Sequence, residues 1–159
     1  MNKRNQNTFE YNGFGFPIIL INFPLIEVRG NIVPNIDYNK LQHVVLLNLA
    51  RNPFPLSGNE VRFIRQFLEM TYSQLAKELG VTHAAVLHWE KAKDDSAKIT
   101  SSTEMFIKLK VLDALAVKNK IFRESFRNFN LISKDKSNKR HILNIDSASL
   151  KSYEAHISK

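Results

Sequence analysis

The chain of 159 residues contains no cysteine. That absence excludes disulfide bridges, thiol catalysis and cysteine-bound zinc. It fits a reducing compartment. No apolar stretch is long enough to span a membrane. Lys3 and Arg4 precede the apolar run Phe14 to Ile26, as in a secretory leader. Pro17, Asn22 and Pro24 interrupt that run, however, and no small-x-small cleavage site follows. The expected compartment is therefore the cytoplasm. There is no glycine-rich phosphate loop and no serine or cysteine nucleophile motif. Of the five histidines, His43, His83, His88, His141 and His156, no two stand at the helical i,i+4 spacing of a metal-ligand pair, and His83 and His88 would diverge on a helix. These absences point away from an enzyme, a metal site or a cofactor. No internal repeat stands out.

What is present is a hydrophobic fraction of 43%, enough for a packed core, and a formal net charge of +8. A basic balance favours polyanions, either nucleic acid or an acidic protein surface.

Residues 1–10 read as polar and loose. Phe14 to Pro34 reads as a small antiparallel sheet: Ile18-Ile19-Leu20-Ile21 is wholly apolar, Leu25 to Arg29 begins to alternate, and Gly30-Asn31 is a turn signal. Asp37 can cap a helix starting at Tyr38, with Leu41, Val44, Val45 and Leu49 on one face, ended by Asn52-Pro53. From Ser57 to Leu115 the pattern is helical throughout. Ser57 or Asn59, Thr71, Thr82 and Ser101 or Ser102 each supply a side-chain oxygen for a helix start. The last of these helices places Met105, Phe106, Leu109, Leu112 and Leu115 on one face. Ile121, Phe122, Phe126 and Phe129 suggest a further helix. Lys134 to His141 reads as a basic loop, His141 to Ile145 as a strand, and 147–159 as a frayed tail. The expected fold is mainly α: a five-helix repressor-like helix-turn-helix domain, a small N-terminal β-hairpin or sheet plus helix module, and a C-terminal strand. The expected division is 1–52 for the N-terminal module, 53–116 for the helix-turn-helix domain and 117–159 for a C-terminal extension.

Function points to Thr71 through Glu90. Two short helices crossing steeply need a small residue at their approach, and Ala76 provides it. Their turn needs a residue that tolerates positive φ, and Gly80 provides that. Leu75, Leu79, Val81, Val86 and Trp89 fall on the inner faces.

These residues, with Val61-Arg62-Phe63-Ile64-Arg65 before them and the ending Trp89-Glu90-Lys91, resemble the phage-repressor-like (XRE) helix-turn-helix family. Tyr11-Asn-Gly-Phe-Gly-Phe, Ile26-Glu-Val, Leu41 to Ala50, and Leu56 to Arg65 extend the resemblance to the MqsA (YgiT) antitoxin group. The resemblance covers residues 11–115. It implies a sequence-specific DNA-binding repressor, the antitoxin of a type II toxin–antitoxin pair, in which the module before the DNA-binding domain docks the toxin. Where that group carries two CxxC pairs, this chain has none, so its apolar strands must organise the module instead. Two other readings stay open: a stand-alone regulator without a toxin, and a protein-interaction module with a vestigial helix-turn-helix.

On the resembling helix pair, the N-terminal end of the second helix should enter the major groove. With Val86 and Trp89 inward, it offers Thr82, His83, Ala84, Ala85, Leu87 and His88 to base edges and thymine methyls. Thr71, Tyr72, Ser73 and Gln74, at the start of the preceding helix, suit a phosphate. Between Ser57 and Ala92 the formal charges cancel, Arg62, Arg65, Lys77 and Lys91 against Glu60, Glu69, Glu78 and Glu90. The basic excess is thus expected at Lys93, Lys98, Lys108 and Lys110, and across Lys118 to Arg140. A homodimer on a palindromic operator of double-stranded DNA is expected, with Phe106, Leu109, Leu112, Phe122 and Phe126 at its interface.

Overall fold

A computed structural model describes residues 7–128 and 141–157. The wholly apolar Ile18 to Ile21 forms the central strand β2 (Ile18–Ile21), which buries Ile18 and Leu20 completely and half-exposes the alternate residues. Strand β1 (Thr8–Tyr11) pairs with it antiparallel, Thr8 opposite Ile21 and Tyr11 opposite Ile18. This strand falls partly within the segment expected to be loose. Strands β3 (Leu25–Val28) and β4 (Asn31–Pro34) form a separate antiparallel hairpin. Its two turn residues, Arg29 and Gly30, have φ of 52° and 80°. Positive φ at both centres gives the turn the right-handed twist that hairpin strands need.

Helix α1 (Tyr38–Arg51) begins where Asp37 accepts a hydrogen bond from the Lys40 backbone N–H. Its buried residues include Leu41, Val44, Val45 and Leu49, and also Leu46, Leu47 and Ala50. A helix apolar on so much of its circumference belongs inside. The remaining elements are α2 (Gly58–Phe67), α3 (Tyr72–Leu79), α4 (His83–Lys91), α5 (Ser101–Ala114), α6 (Asn119–Asn128), β5 (Leu143–Asp146) and α7 (Ser147–Ser152), with a 3-10 turn at Tyr153–Ala155. One apolar cluster runs from Phe16 to Tyr153.

The five-helix expectation does not hold. Among the described residues there are seven α-helices and two sheets, of three and two strands. The difference lies at the C-terminus. Strand β5 joins β2 in parallel, Ile18 beside Leu143 and Ile21 beside Asp146. The Asp146 side chain then caps α7 by accepting from the Ala148 N–H. Tyr153 is buried, and Val117 bridges to Ile157, so the tail is pinned rather than frayed. Phe129 and the basic segment from Lys134 through Arg140 lie outside the described residues.

Of the apolar stripe expected on α5, Leu112 and Leu115 are buried and Met105 and Leu109 pack against the core, but Phe106 is turned out and two charged residues are turned in. The buried residues of this helix are Glu104, Ile107, Lys108, Val111 and Leu112, whereas Phe106 is 55% exposed. Its cap residue is Thr100, ahead of the two serines expected there. The inward charged residues serve the connector between α1 and α2. Pro53 and Pro55 prevent regular backbone pairing there, and buried peptide groups must find partners. The Lys108 ammonium donates to the carbonyls of Asn52 (2.6 Å) and Phe54 (3.0 Å), and the Glu104 carboxylate accepts from the Leu56 N–H (2.5 Å). Burial pushes the Glu104 carboxyl up and the Lys108 ammonium down from their ordinary pKa values, and the attraction between them opposes both shifts.

Of the face expected at a dimer interface, Leu112 is fully buried, and Leu109 and Phe122 pack against the core. Phe106 and Phe126 are exposed. No helix among the described residues is long and apolar enough to cross a membrane.

Candidate nucleic-acid interface

Three capped helices build this surface. Ser57 and Glu60 form a capping box on α2: the Ser57 side chain accepts from the Glu60 N–H (3.2 Å) and the Glu60 carboxylate accepts from the Ser57 N–H (2.8 Å). Thr71 and Gln74 do the same on α3, at 3.2 Å and 2.8 Å. Thr82 caps α4 by accepting from the Ala85 N–H at 3.1 Å. Each box satisfies two backbone donors that a helix start leaves orphaned. Gly80 ends α3 with φ of 68°, a left-handed conformation that costs glycine little.

The helices close tightly. Leu75, Ala76, Val86 and Trp89 are buried between them. A Cβ on Gly58 would come within 2.5 Å of the Trp89 carbonyl oxygen and 2.6 Å of the Lys93 nitrogen. The start of α2 therefore sits directly on the end of α4, an approach that only glycine allows. The loop after α4 returns the contact, since the carbonyls of Lys93 and Asp95 accept from the N–H groups of Asn59 and Gly58.

Arg65 locks the arrangement. Its guanidinium grips Glu90 with two hydrogen bonds (2.6 and 3.2 Å), donates to the Met70 carbonyl (2.9 Å) and lies 4.1 Å above the Tyr72 ring. Its pKa is raised, chiefly by the hydrogen bond to Glu90. Tyr72 in turn meets the His83 ring edge-on, with centroids 5.6 Å apart. The starts of α3 and α4 are thus neighbours.

Among the sequence-predicted site residues, Thr71, Ser73, Gln74, Thr82, His83, Ala84 and His88 are exposed, and Tyr72, Ala85 and Leu87 are half-buried. The structure brings Tyr72 and His83 together directly. Three of the ten already have local duties: the Thr71 and Thr82 hydroxyls and the Gln74 amide oxygen hold caps.

No family model, curated protein or solved structure matches this chain.

Charge counting along the sequence misses how this surface looks from outside. Glu60 is buried, Glu90 is gripped by Arg65, and Glu78 pairs with Lys110 of α5. What remains of the formal balance is Arg62, Lys77 and Lys91, all exposed, against Glu69. The surface is basic although its sequence segment is neutral.

Two of the expected basic residues do not extend it. Lys108 is fully buried and Lys110 is ion-paired with Glu78, while Lys93 and Lys98 are exposed. Of the basic residues further on, Lys118, Lys120, Arg123 and Arg127 are exposed.

Sequence reasoning also missed a concavity of about 310 Å³ beside α4, which places Asn59, Arg62, Tyr72, Leu87, Lys91 and Lys93 around one hollow. The i,i+4 spacing of Leu87 and Lys91 was the available signal for its α4 side. Nothing local tied Asn59 and Arg62 to it.

Proposed function

We propose that this protein is a sequence-specific DNA-binding repressor. Helix α4 enters the major groove with His83, Ala84, Leu87 and His88 toward base edges, and the start of α3 with Thr71, Tyr72 and Ser73 lies against a phosphate. The observation that carries this reading is the surface itself. Two neighbouring helix starts stand exposed on a segment whose exposed charges are Arg62, Lys77 and Lys91 against Glu69 alone, the other three acidic residues being buried or paired. Phosphates favour positive charge and helix N-termini together. The resemblance to the XRE family supports the same docking. A two-fold dimer on a palindromic operator goes with it, because one recognition helix reads only a few base pairs.

The test is fluorescence anisotropy, using a labelled duplex from immediately upstream of the protein's own reading frame and a scrambled duplex of equal length, each over a series of salt concentrations. Tighter binding to the upstream duplex, falling steeply with salt, is the expected result. His88→Ala should weaken the specific complex by roughly 1–3 kcal/mol and leave the melting temperature unchanged. Equal affinity for both duplexes at every salt concentration overturns the reading.

The finer reading, an antitoxin, draws on the β3–β4 hairpin. Leu25, Ile26, Val28 and Ile32 are all exposed on it, and the hairpin forms a two-stranded sheet of its own. Open strand edges with aliphatic side chains suit pairing with another protein. Co-expression with the product of the adjacent reading frame should give a complex that Ile26→Asp with Ile32→Asp abolishes while promoter binding survives. A complex that persists in the double variant removes the hairpin from the interface. No complex at all leaves a stand-alone regulator.

A further inference from the structure

A second concavity lies far from α4 in sequence, between α1 and α7, with a volume of about 470 Å³. That is within the usual range for a small-molecule site. Its apolar wall includes Leu47, Phe54 and Tyr153. The Phe54 ring is held in place by stacking on His141, with centroids 3.6 Å apart and planes 8° apart.

None of its lining residues among those described is acidic: its polar side chains are those of Asn48, Arg51, Asn52, Ser149, Ser152, Tyr153 and His156. Asn52 uses its side-chain oxygen to accept from the Phe54 N–H (2.9 Å), which leaves the amide NH₂ to donate. One nitrogen of His156 is engaged by the Ser152 carbonyl (3.0 Å), which sets the ring orientation and keeps the second nitrogen available. The fixed charge of the lining is the Arg51 guanidinium. Its carboxylate neighbour, Glu124, stands off at 3.9 Å, and both side chains are more than a third exposed. Such a loose surface pair holds a guanidinium weakly.

We propose that this cleft binds a small organic anion, with Arg51 taking the carboxylate or phosphate and the Leu47–Phe54–Tyr153 wall taking an apolar, aromatic body. A guanidinium grips planar oxyanions in bidentate fashion, which a lysine in its place would not reproduce. The proposal stands apart from DNA binding, since none of these residues belongs to the α3–α4 surface.

The experiment is a nuclear magnetic resonance titration of the full-length ¹⁵N-labelled protein with phenyl phosphate and with benzoate. Benzyl alcohol serves as the neutral counterpart and inorganic phosphate as the anion without a ring. Saturable shifts confined to residues 44–54 and 149–156, with both aromatic anions tighter than benzyl alcohol and inorganic phosphate, are the expected result. Arg51→Gln should weaken the aromatic anions by about tenfold or more. Arg51→Lys should recover only part of that loss, and Lys98→Gln, at an exposed site, should change nothing. Circular dichroism melting checks that each variant is folded. Absence of saturation up to roughly ten millimolar, equal binding of benzyl alcohol, or unchanged affinity in Arg51→Gln each overturn the proposal. Tighter binding of inorganic phosphate than of phenyl phosphate overturns the aromatic part.

Discussion

The α2–α4 segment and the α5–α7 segment were built by different rules. In the first, the starts and ends of the helices are set within a few residues, by three side-chain caps, two of them reciprocal, and a glycine in the left-handed conformation, while Arg65–Glu90 and the Gly58 seam hold the finished helices together. In the second, the decisive contacts come from far along the chain. The Glu104–Leu56 hydrogen bond spans 48 positions, the Lys108–Asn52 bond spans 56, and β5 finds β2 from the opposite end of the sequence. Local hydrogen bonds can be read from spacing. Distant ones depend on which unpaired backbone group the fold brings close, and no periodicity announces that.

The sharpest way to break this contrast is to remove one key residue from each region. Trp89→Ala should cost about 3–5 kcal/mol as a large truncation in the core. Lys108→Met keeps most of the length of the side chain but leaves two carbonyls without their donor and takes the positive charge away from the buried Glu60 and Glu104. It should cost a comparable amount, about 3–5 kcal/mol. Urea denaturation measures both. If Lys108→Met is as stable as the parent, the buried amine is incidental and α5 was turned by apolar packing alone.

Trp89 is legible in the sequence because it falls on a helical stripe with Val86. Lys108 is not, because a lysine on an amphipathic helix reads as a solvated residue. The same reasoning misplaced Phe106, which the helix periodicity assigns to the apolar face and the fold leaves exposed.

Gly58→Ala tests the seam between α2 and α4. The added methyl would meet backbone atoms at 2.5 and 2.6 Å, which cannot yield by a rotamer change. A loss of about 1–3 kcal/mol is expected, together with weaker promoter binding because α4 must shift. Unaltered stability and binding would show that the two helices have room to separate.

A pH series sharpens the comparison at Glu60, which belongs to both regions. Its carboxyl caps α2 locally, and it faces Lys108 and Glu104 of α5. Burial is the largest influence and raises its pKa to about 6 from the ordinary 4.5. The folded state therefore holds this proton more tightly than the unfolded state. The resulting stabilisation is fully present below pH 4.5 and is lost as pH rises through about 6. It amounts to about 2 kcal/mol. Glu60→Gln keeps the cap and should flatten that part of the stability–pH curve, leaving the contribution of Glu104, whose shift has the same direction. A curve of unchanged slope would place the acid response elsewhere.

The smallest expected effect is that of Thr82→Ala, which removes a single exposed cap from α4 and should cost about 1 kcal/mol. Thermal melting reads the stability. Promoter titration reads whether the frayed first turn also lowers affinity, as the proposed groove contact requires.

The sequence by itself determined the helix starts at Asp37, Thr71 and Thr82, narrowed that of α2 to Ser57 or Asn59, and placed the turn at Gly80 and the inward stripe of Val86 and Trp89. Each is written in groups no more than a few residues apart, and the chain cannot separate neighbours. Only the tertiary structure decided that β5 runs parallel to β2, that the tail is pinned by Tyr153, and that α5 turns Lys108 inward. It also decided the charge of the candidate interface. Burial of Glu60 and pairing of Glu78 and Glu90 leave a formally neutral segment with a basic surface, because a charge shapes the outside of a protein only where the fold leaves it exposed and uncompensated.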